Sequence, residues 1–190
     1  MTTKELYEEL KYVNHSREKR LYYANLVINN RELIPKLLAI LYMVDDNISC
    51  RAAWVFEFMC GEHLEAGIPY LDQFTENMHR VHLDSAVRPV AKVCEYLIIA
   101  YYSKGQNEIK STLLPKHKEK ITEACFDWMI NDKKVAPKAY AMSTLFLLGS
   151  DYDWIYPELV MILERDYHTQ SAAFKARARQ ILKKINKQKS

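Results

Sequence analysis

Glycine and proline are scarce, four and six residues in a chain of 190. An all-β domain turns about every 8–12 residues and draws on these two for its turns, so the supply excludes that class. The four cysteines, at 50, 60, 94 and 125, form no Cys-x-x-Cys pair. Each sits in an apolar stretch, which predicts reduced, buried thiols and a cytoplasmic protein. The first nine residues, Met-Thr-Thr-Lys-Glu-Leu-Tyr-Glu-Glu, lack the apolar core of a signal sequence. Apolar runs such as Tyr96 to Tyr102 fall far short of the ~18 residues of a membrane-spanning helix. Four scattered glycines cannot build a phosphate loop, and no Gly-x-Ser-x-Gly elbow supports a nucleophile. No cofactor is expected. What remains, 49% apolar and 27% charged, reads as a helical chain that is neither disordered nor membrane-embedded.

The prolines are few but regularly placed. Pro35, Pro69, Pro115 and Pro157 lie in similar surroundings, Leu33-Ile34-Pro35-Lys36-Leu37, Gly67-Ile68-Pro69-Tyr70-Leu71, Leu113-Leu114-Pro115-Lys116 and Ile155-Tyr156-Pro157-Glu158. Proline suits the first turn of a helix, where its missing N–H would be unpaired anyway. Each therefore predicts a helix start, at intervals of 34, 46 and 42 residues. A second series follows these marks: Arg51, Arg88, Lys138 and Lys175, each with a small or aromatic residue three positions later, spaced 37, 50 and 37. Pro89 and Pro137 fall in this series, again near helix starts.

Between the marks the apolar residues recur in steps of three and four, as a one-sided helix requires. Val87, Val90, Ala91, Cys94, Leu97, Ile98 and Tyr101 form one such stripe, and Leu64, Ile68, Leu71, Phe74, Met78 and Val81 another. In the last segment Phe174, Ala178, Ile181, Leu182 and Ile185 share a face, flanked by Lys175, Arg179, Lys183 and Lys187. Gly61, Gly105 and Gly149 fall near predicted helix ends, where glycine caps well. Residues 174–190 carry seven basic side chains and no acidic one, leaving 20 basic against 24 acidic in the rest, a net of −4. A basic end attracts nucleic acid or acidic proteins, or serves as the solvated cap of a last helix.

Leu-Pro-x-Leu-like helix starts, a turn Asp, and a basic residue before small ones resemble the HEAT-repeat family. The segment from Glu32 through Asp45-Asp46 to Arg51-Ala52-Ala53 matches best, and the resemblance covers roughly residues 30–188. It implies an all-α superhelix of about five helical pairs, near 1–29, 30–63, 64–105, 107–150 and 153–188, within one domain. The family's turn Asp paired with an Arg six residues on finds its spacing in Asp45/Arg51 and Asp132/Lys138; His82/Arg88 and Thr169/Lys175 lack the acid. Stacked pairs of this kind share one core. The resemblance further implies a curved array with a concave face.

That face is expected to bind a protein or peptide through Arg51, Arg88, Lys138, Lys175 and Tyr140. Bracing of adjacent pairs is equally open for Arg51 and Lys138. Thirteen tyrosines, among them Tyr22-Tyr23, Tyr101-Tyr102, Tyr152 and Tyr156, either line a groove or cover helix seams. The alternative partner is nucleic acid. A HEAT-like branch resembles DNA glycosylases of alkylated bases, which use tryptophans and an aspartate. Trp54, Trp154 and the pair Trp128/Asp132 are the candidates, although Trp128 continues the stripe of Ile121, Ala124 and Cys125. Glu76, His79 and His82 stand at steps of three, yet no second cluster supports a metal, and none is expected. Adenylosuccinate lyase, a name given to some short bacterial chains of this look, uses a Ser-Ser-x-Met-Pro-x-Lys-x-Asn loop. Only Ser111-Thr112-Leu113-Leu114-Pro115-Lys116 approaches it, as a helix start.

Overall fold

The computed structural model describes residues 1–131 and 134–188. Among them there are eleven α-helices and no strand: α1 (Thr3–Leu10), α2 (Arg17–Asn29), α3 (Ile34–Leu41), α4 (Asn47–Glu62), α5 (Leu71–Asn77), α6 (Asp84–Tyr102), α7 (Ile109–Thr112), α8 (Pro115–Ile130), α9 (Val135–Leu148), α10 (Ile155–Asp166) and α11 (Ala172–Gln188). The protein is all-α. No helix is long and apolar enough to cross a membrane, among the described residues.

Local chemistry explains the starts. Thr2 and Glu5 form a reciprocal capping box on α1. Ser16 accepts from the Lys19 N–H of α2, and Asp46 from the Ile48 N–H of α4. Pro35, Pro115, Pro137 and Pro157 sit in the first turns of α3, α8, α9 and α10. Pro89 is deeper, the sixth residue of α6, and its missing N–H leaves the Ser85 carbonyl without its helical donor. The Trp54 indole supplies one instead, Nε1 donating to Ser85 O at 2.8 Å.

The helices pack in an order that follows the chain. α2 packs on α4, α4 on α6, α6 on α9, and α9 on α11. In addition α1 meets α3, α3 lies on α4, α5 meets α8, and α8 and α10 lie on α9. The interior is contiguous from Leu6 to Ile185 and includes all four cysteines, which are free and buried. Burial pushes the Cys60, Cys94 and Cys125 thiols up, so they stay protonated. In α11, Phe174, Ala178, Ile181 and Ile185 are buried, and the flank of Arg179, Lys183 and Lys187 is exposed.

Three sequence expectations are corrected. The stripe from Leu64 to Val81 is not one helix: a 3-10 segment (Leu64–Tyr70) precedes α5, and another (Met78–Arg80) follows it. Pro69, which withholds an N–H, stands inside the first. No glycine among the described residues has a positive φ, so the helix-end glycines are not left-handed caps. Size matters at Gly149 and is tight at Gly61, while a Cβ on Gly105 would meet nothing within 4 Å. A Cβ on Gly149 would lie 2.2 Å from Cε1 of Tyr156, and one on Gly61 would lie 3.3 Å from the Tyr96 hydroxyl. Finally, Asp45 does not pair with Arg51. Asp45 lies 3.4 Å from His82. Arg51 donates through Nη1 to the Leu10 and Lys11 carbonyls at the end of α1. The neighbouring Asp46 takes the structural part, capping α4 and accepting from Tyr7 Oη at 2.6 Å. Asp132 lies outside the described residues.

One buried cation ties the α8 start to the turn after α9. Lys118 Nζ donates to Asp151 Oδ2 at 2.7 Å and to Tyr101 Oη at 3.2 Å, and lies over the Tyr101 ring. Burial opposes its charge, but Asp151 and the hydroxyl outweigh burial and hold its pKa above the ordinary lysine value. Asp151→Ala leaves that charge unpaired, so it is expected to destabilise by about 3 kcal/mol, measured by urea unfolding. The double variant Lys118→Met/Asp151→Ala should recover most of the loss. Gly149→Ala, favourable by helix propensity alone, should instead cost ~1–3 kcal/mol, because it drives a methyl into the Tyr156 ring. Placing Leu at 156 beside it should reduce that cost.

Candidate functional site

The helices α2, α4, α6, α9 and α11 carry a strip of cations laid on aromatic rings. The Arg20 guanidinium of α2 lies 4.8 Å from the Phe58 ring centre and 6.0 Å from that of Trp54, both on α4. Lys92 of α6 lies 4.9 Å from the Tyr96 ring centre and 4.6 Å from that of Tyr140 on α9. Lys184 of α11 lies 5.4 Å from the centre of Phe146. Such contacts hold a long flexible cation in place at an aromatic face and add about 0.5–1 kcal/mol each at exposed sites.

Carboxylates balance most of this charge. Arg88 reaches from α6 to Glu57 on α4 with two parallel bonds, Nη1 to Oε1 at 2.9 Å and Nη2 to Oε2 at 2.5 Å. Glu57 is buried, so the fork geometry matters. Burial opposes the Arg88 charge, yet Glu57, with Tyr140 beyond it, holds the guanidinium pKa above its ordinary value. Lys92 pairs with Glu95 at 2.6 Å. Arg20 differs: its Nε donates to Ser16 O at 3.3 Å and its Nη2 to His15 O at 2.5 Å. Among the described residues no carboxylate forms an ion pair with it. Burial lowers its pKa and the nearby Arg88 lowers it further, with Glu57 opposing.

Arg20 and Arg88 open into one hollow of about 250 Å³. Its other walls are His15, Trp54, Asp84, Ser85, Lys134, Ala136 and Pro137. The hollow thus lies where the starts of α2, α6 and α9 come together. Trp54 is fixed on one side by its bond to Ser85 and on the other by the His15 ring, 4.8 Å between centres.

Of the residues singled out by sequence, Arg88 and Tyr140 come together on the strip. Arg51 is spent on the end of α1, and Lys138 is buried. Lys175 stands half-buried in the first turn of α11. The other tyrosines do separate work: Tyr23 is buried and donates to Glu9, Tyr101 and Tyr152 surround Lys118, and Tyr156 covers Gly149. The tryptophans are dispersed. Trp128 is buried, and exposed Trp154 stacks on Phe126 beside Glu123, Asp127 and Glu158. Glu76 and His79 line a different hollow from the His82–Asp45 contact. No three His, Cys, Asp or Glu side chains are grouped to hold a metal ion, among the described residues.

Arg20 was missed by sequence, although a signal exists. It is the fourth residue of α2, the register that Lys138 and Lys175 hold in α9 and α11, and Tyr23 follows three positions later. The bulky Leu21-Tyr22 beside it hides the pattern. Lys92, Glu57 and Lys134 carry no local signal, since their roles come from helices distant in sequence.

No known family model, curated protein or solved structure gives a match to this chain.

The Glu57–Arg88 pair makes a stability prediction. Glu57→Gln removes the carboxylate that pairs with a half-buried guanidinium and should cost about 3 kcal/mol in denaturant unfolding. Glu57→Met with Arg88→Met should be much milder than the sum of the single changes.

Proposed function

We propose that this protein is a HEAT-like α-solenoid of about five helical pairs whose concave face, built by α2, α4, α6, α9 and α11, binds an acidic peptide or protein segment. The packing order supports the architecture: each of these helices rests on the next one of the row. The strip of cations held on aromatic rings is the observation that carries the function. Tyr, Trp and Arg are the side chains that supply most energy at protein interfaces. Here they are already fixed by neighbours, so a partner need not order them on binding. Arg88 and Tyr140 lie at its centre, and Lys92, Trp54 and Arg20 surround them.

Nucleic acid is the weaker reading. Outside residues 174–190 the chain carries a net charge of −4, which repels a phosphate backbone. The tryptophans share no common surface, and the basic flank of α11 is the one feature that favours this reading.

The test is a panel of displayed peptides of graded charge, with duplex DNA as a separate arm. Acidic, aromatic-bearing peptides should be retained, and Arg88→Glu should weaken them at least ~10-fold. Tyr140→Ala should weaken them by a similar factor while leaving the fold intact by circular dichroism. Retention of basic peptides, equal capture by Arg88→Glu, or salt-dependent binding of DNA with no peptide binding would overturn the reading.

A further inference from the structure

We propose that the hollow at the starts of α2, α6 and α9 is an anion subsite of this groove, taking a carboxylate or phosphoryl group carried by the bound segment. Its residues are His15, Arg20, Trp54, Asp84, Arg88 and Lys134. This subsite rests on the peptide-binding reading for the source of the anion, not for its existence.

The argument is a count of charges and donors. Three cationic side chains and one carboxylate, Asp84, line the hollow. Lys134 lies 3.5 Å from Asp84. Arg88 spends both terminal nitrogens on Glu57. Arg20 has no such partner among the described residues. A guanidinium presents five N–H donors in a fixed plane. Nε spends its one and Nη2 spends one of its two on backbone carbonyls, so three N–H groups remain. Two of them, on Nη1, stand beside the one left on Nη2, an arrangement that matches the two oxygens of a carboxylate or phosphoryl group.

The surroundings fix this arrangement. The Arg20 plane is held against Phe58 and Trp54, and Trp54 is held by Ser85 and His15. An anion would therefore meet donors already ordered, beside a second guanidinium whose repulsion it would relieve. The depressed Arg20 pKa, caused by burial first and by Arg88 second, agrees with a cation short of counter-charge.

Two-dimensional ¹H–¹⁵N spectra of the full chain test the subsite, because each of the three tryptophans contributes one indole signal. Trp54→Phe identifies the signal of Trp54. Inorganic phosphate and acetate are the probes, titrated at constant ionic strength. The expected result is a saturable shift of the Trp54 indole with those of Trp128 and Trp154 unmoved. Arg20→Gln should weaken the apparent affinity at least ~10-fold. Lys134→Gln, at an exposed position, should weaken it several-fold with the fold unchanged by circular dichroism. Tighter binding of phosphate than acetate assigns the site to phosphorylated segments, and equal binding assigns it to acidic side chains or a chain terminus. Absence of a saturable shift, equal movement of all three indoles, or an unchanged titration in both variants overturns the proposal. Acidic peptides that bind wild type and Arg20→Gln equally would remove the subsite and leave the groove reading standing. A phosphate shift without any peptide binding would do the reverse.

Discussion

A helix in the middle of a row must be apolar on two flanks at once, and that constraint organises this molecule. Helix α6 lies between α4 and α9 and buries Ala86, Val87, Val90, Ala91, Val93, Cys94, Leu97 and Ile98. Removing either neighbour would return part of that surface to water, at roughly 25 cal/mol per Å² of apolar area. The helices share one contiguous core with their neighbours. The terminal helix α11 faces the opposite demand, with one side against α9 and α10 and the other in water. Its composition answers directly, a single apolar stripe with a basic flank.

Polar groups inside such a row have to be satisfied by the next helix. The Trp54 indole replaces the donor that Pro89 lacks, so one contact both seats α4 on α6 and completes a helix. Arg51 donates to two carbonyls at the end of α1, adding to the backbone bonds of the turn that follows that helix. His117 accepts from the Leu114 N–H through Nδ1, so its Nε2 carries the proton and donates to Asp72 at 2.6 Å. That bond links the α8 start to α5. Each of these side chains serves one helix end and one helix–helix contact together.

The sequence made the helices legible because proline and apolar spacing act locally. Pro35, Pro115, Pro137 and Pro157 stand in first turns, and the stripes of the second-series helices are buried as spaced. Where the reading of single residues failed, the deciding partner stood on a different element of the fold. Gly61 and Gly149 look like caps until Tyr96 and Tyr156 are seen above them. Asp45 and Arg51 have the spacing of a pair, but α1 offers Arg51 two carbonyls and leaves Asp45 to solvent and His82. The stripe at Leu64 to Val81 keeps its period through a 3-10 segment, because steps of three satisfy both helix types over a short run. The candidate site suffered most: Arg88 and Tyr140 were visible as types, while Glu57, Lys92 and Arg20 acquire meaning only when α2, α4, α6 and α9 are side by side.

The electrostatics of the strip constrain how it can work as a binding surface. Arg88 and Lys92 already hold carboxylates, so an acidic partner that displaced Glu57 or Glu95 would exchange one ion pair for another. Such an exchange contributes little net free energy and leaves a buried acid unpaired. Partner acids must therefore add to the existing pairs from the open side, where screening is strong and each contact is worth only about 0–1 kcal/mol. Flat contact with Trp54, Tyr96 and Tyr140 has to provide most of the affinity, and the paired charges act mainly against wrong partners. Within the strip Arg20 is the exception, combining ordered donors and partial burial with no carboxylate partner among the described residues. A strip whose Arg88 and Lys92 are paired, beside one ordered guanidinium without a carboxylate among the described residues, favours an acidic partner that places one anion at Arg20.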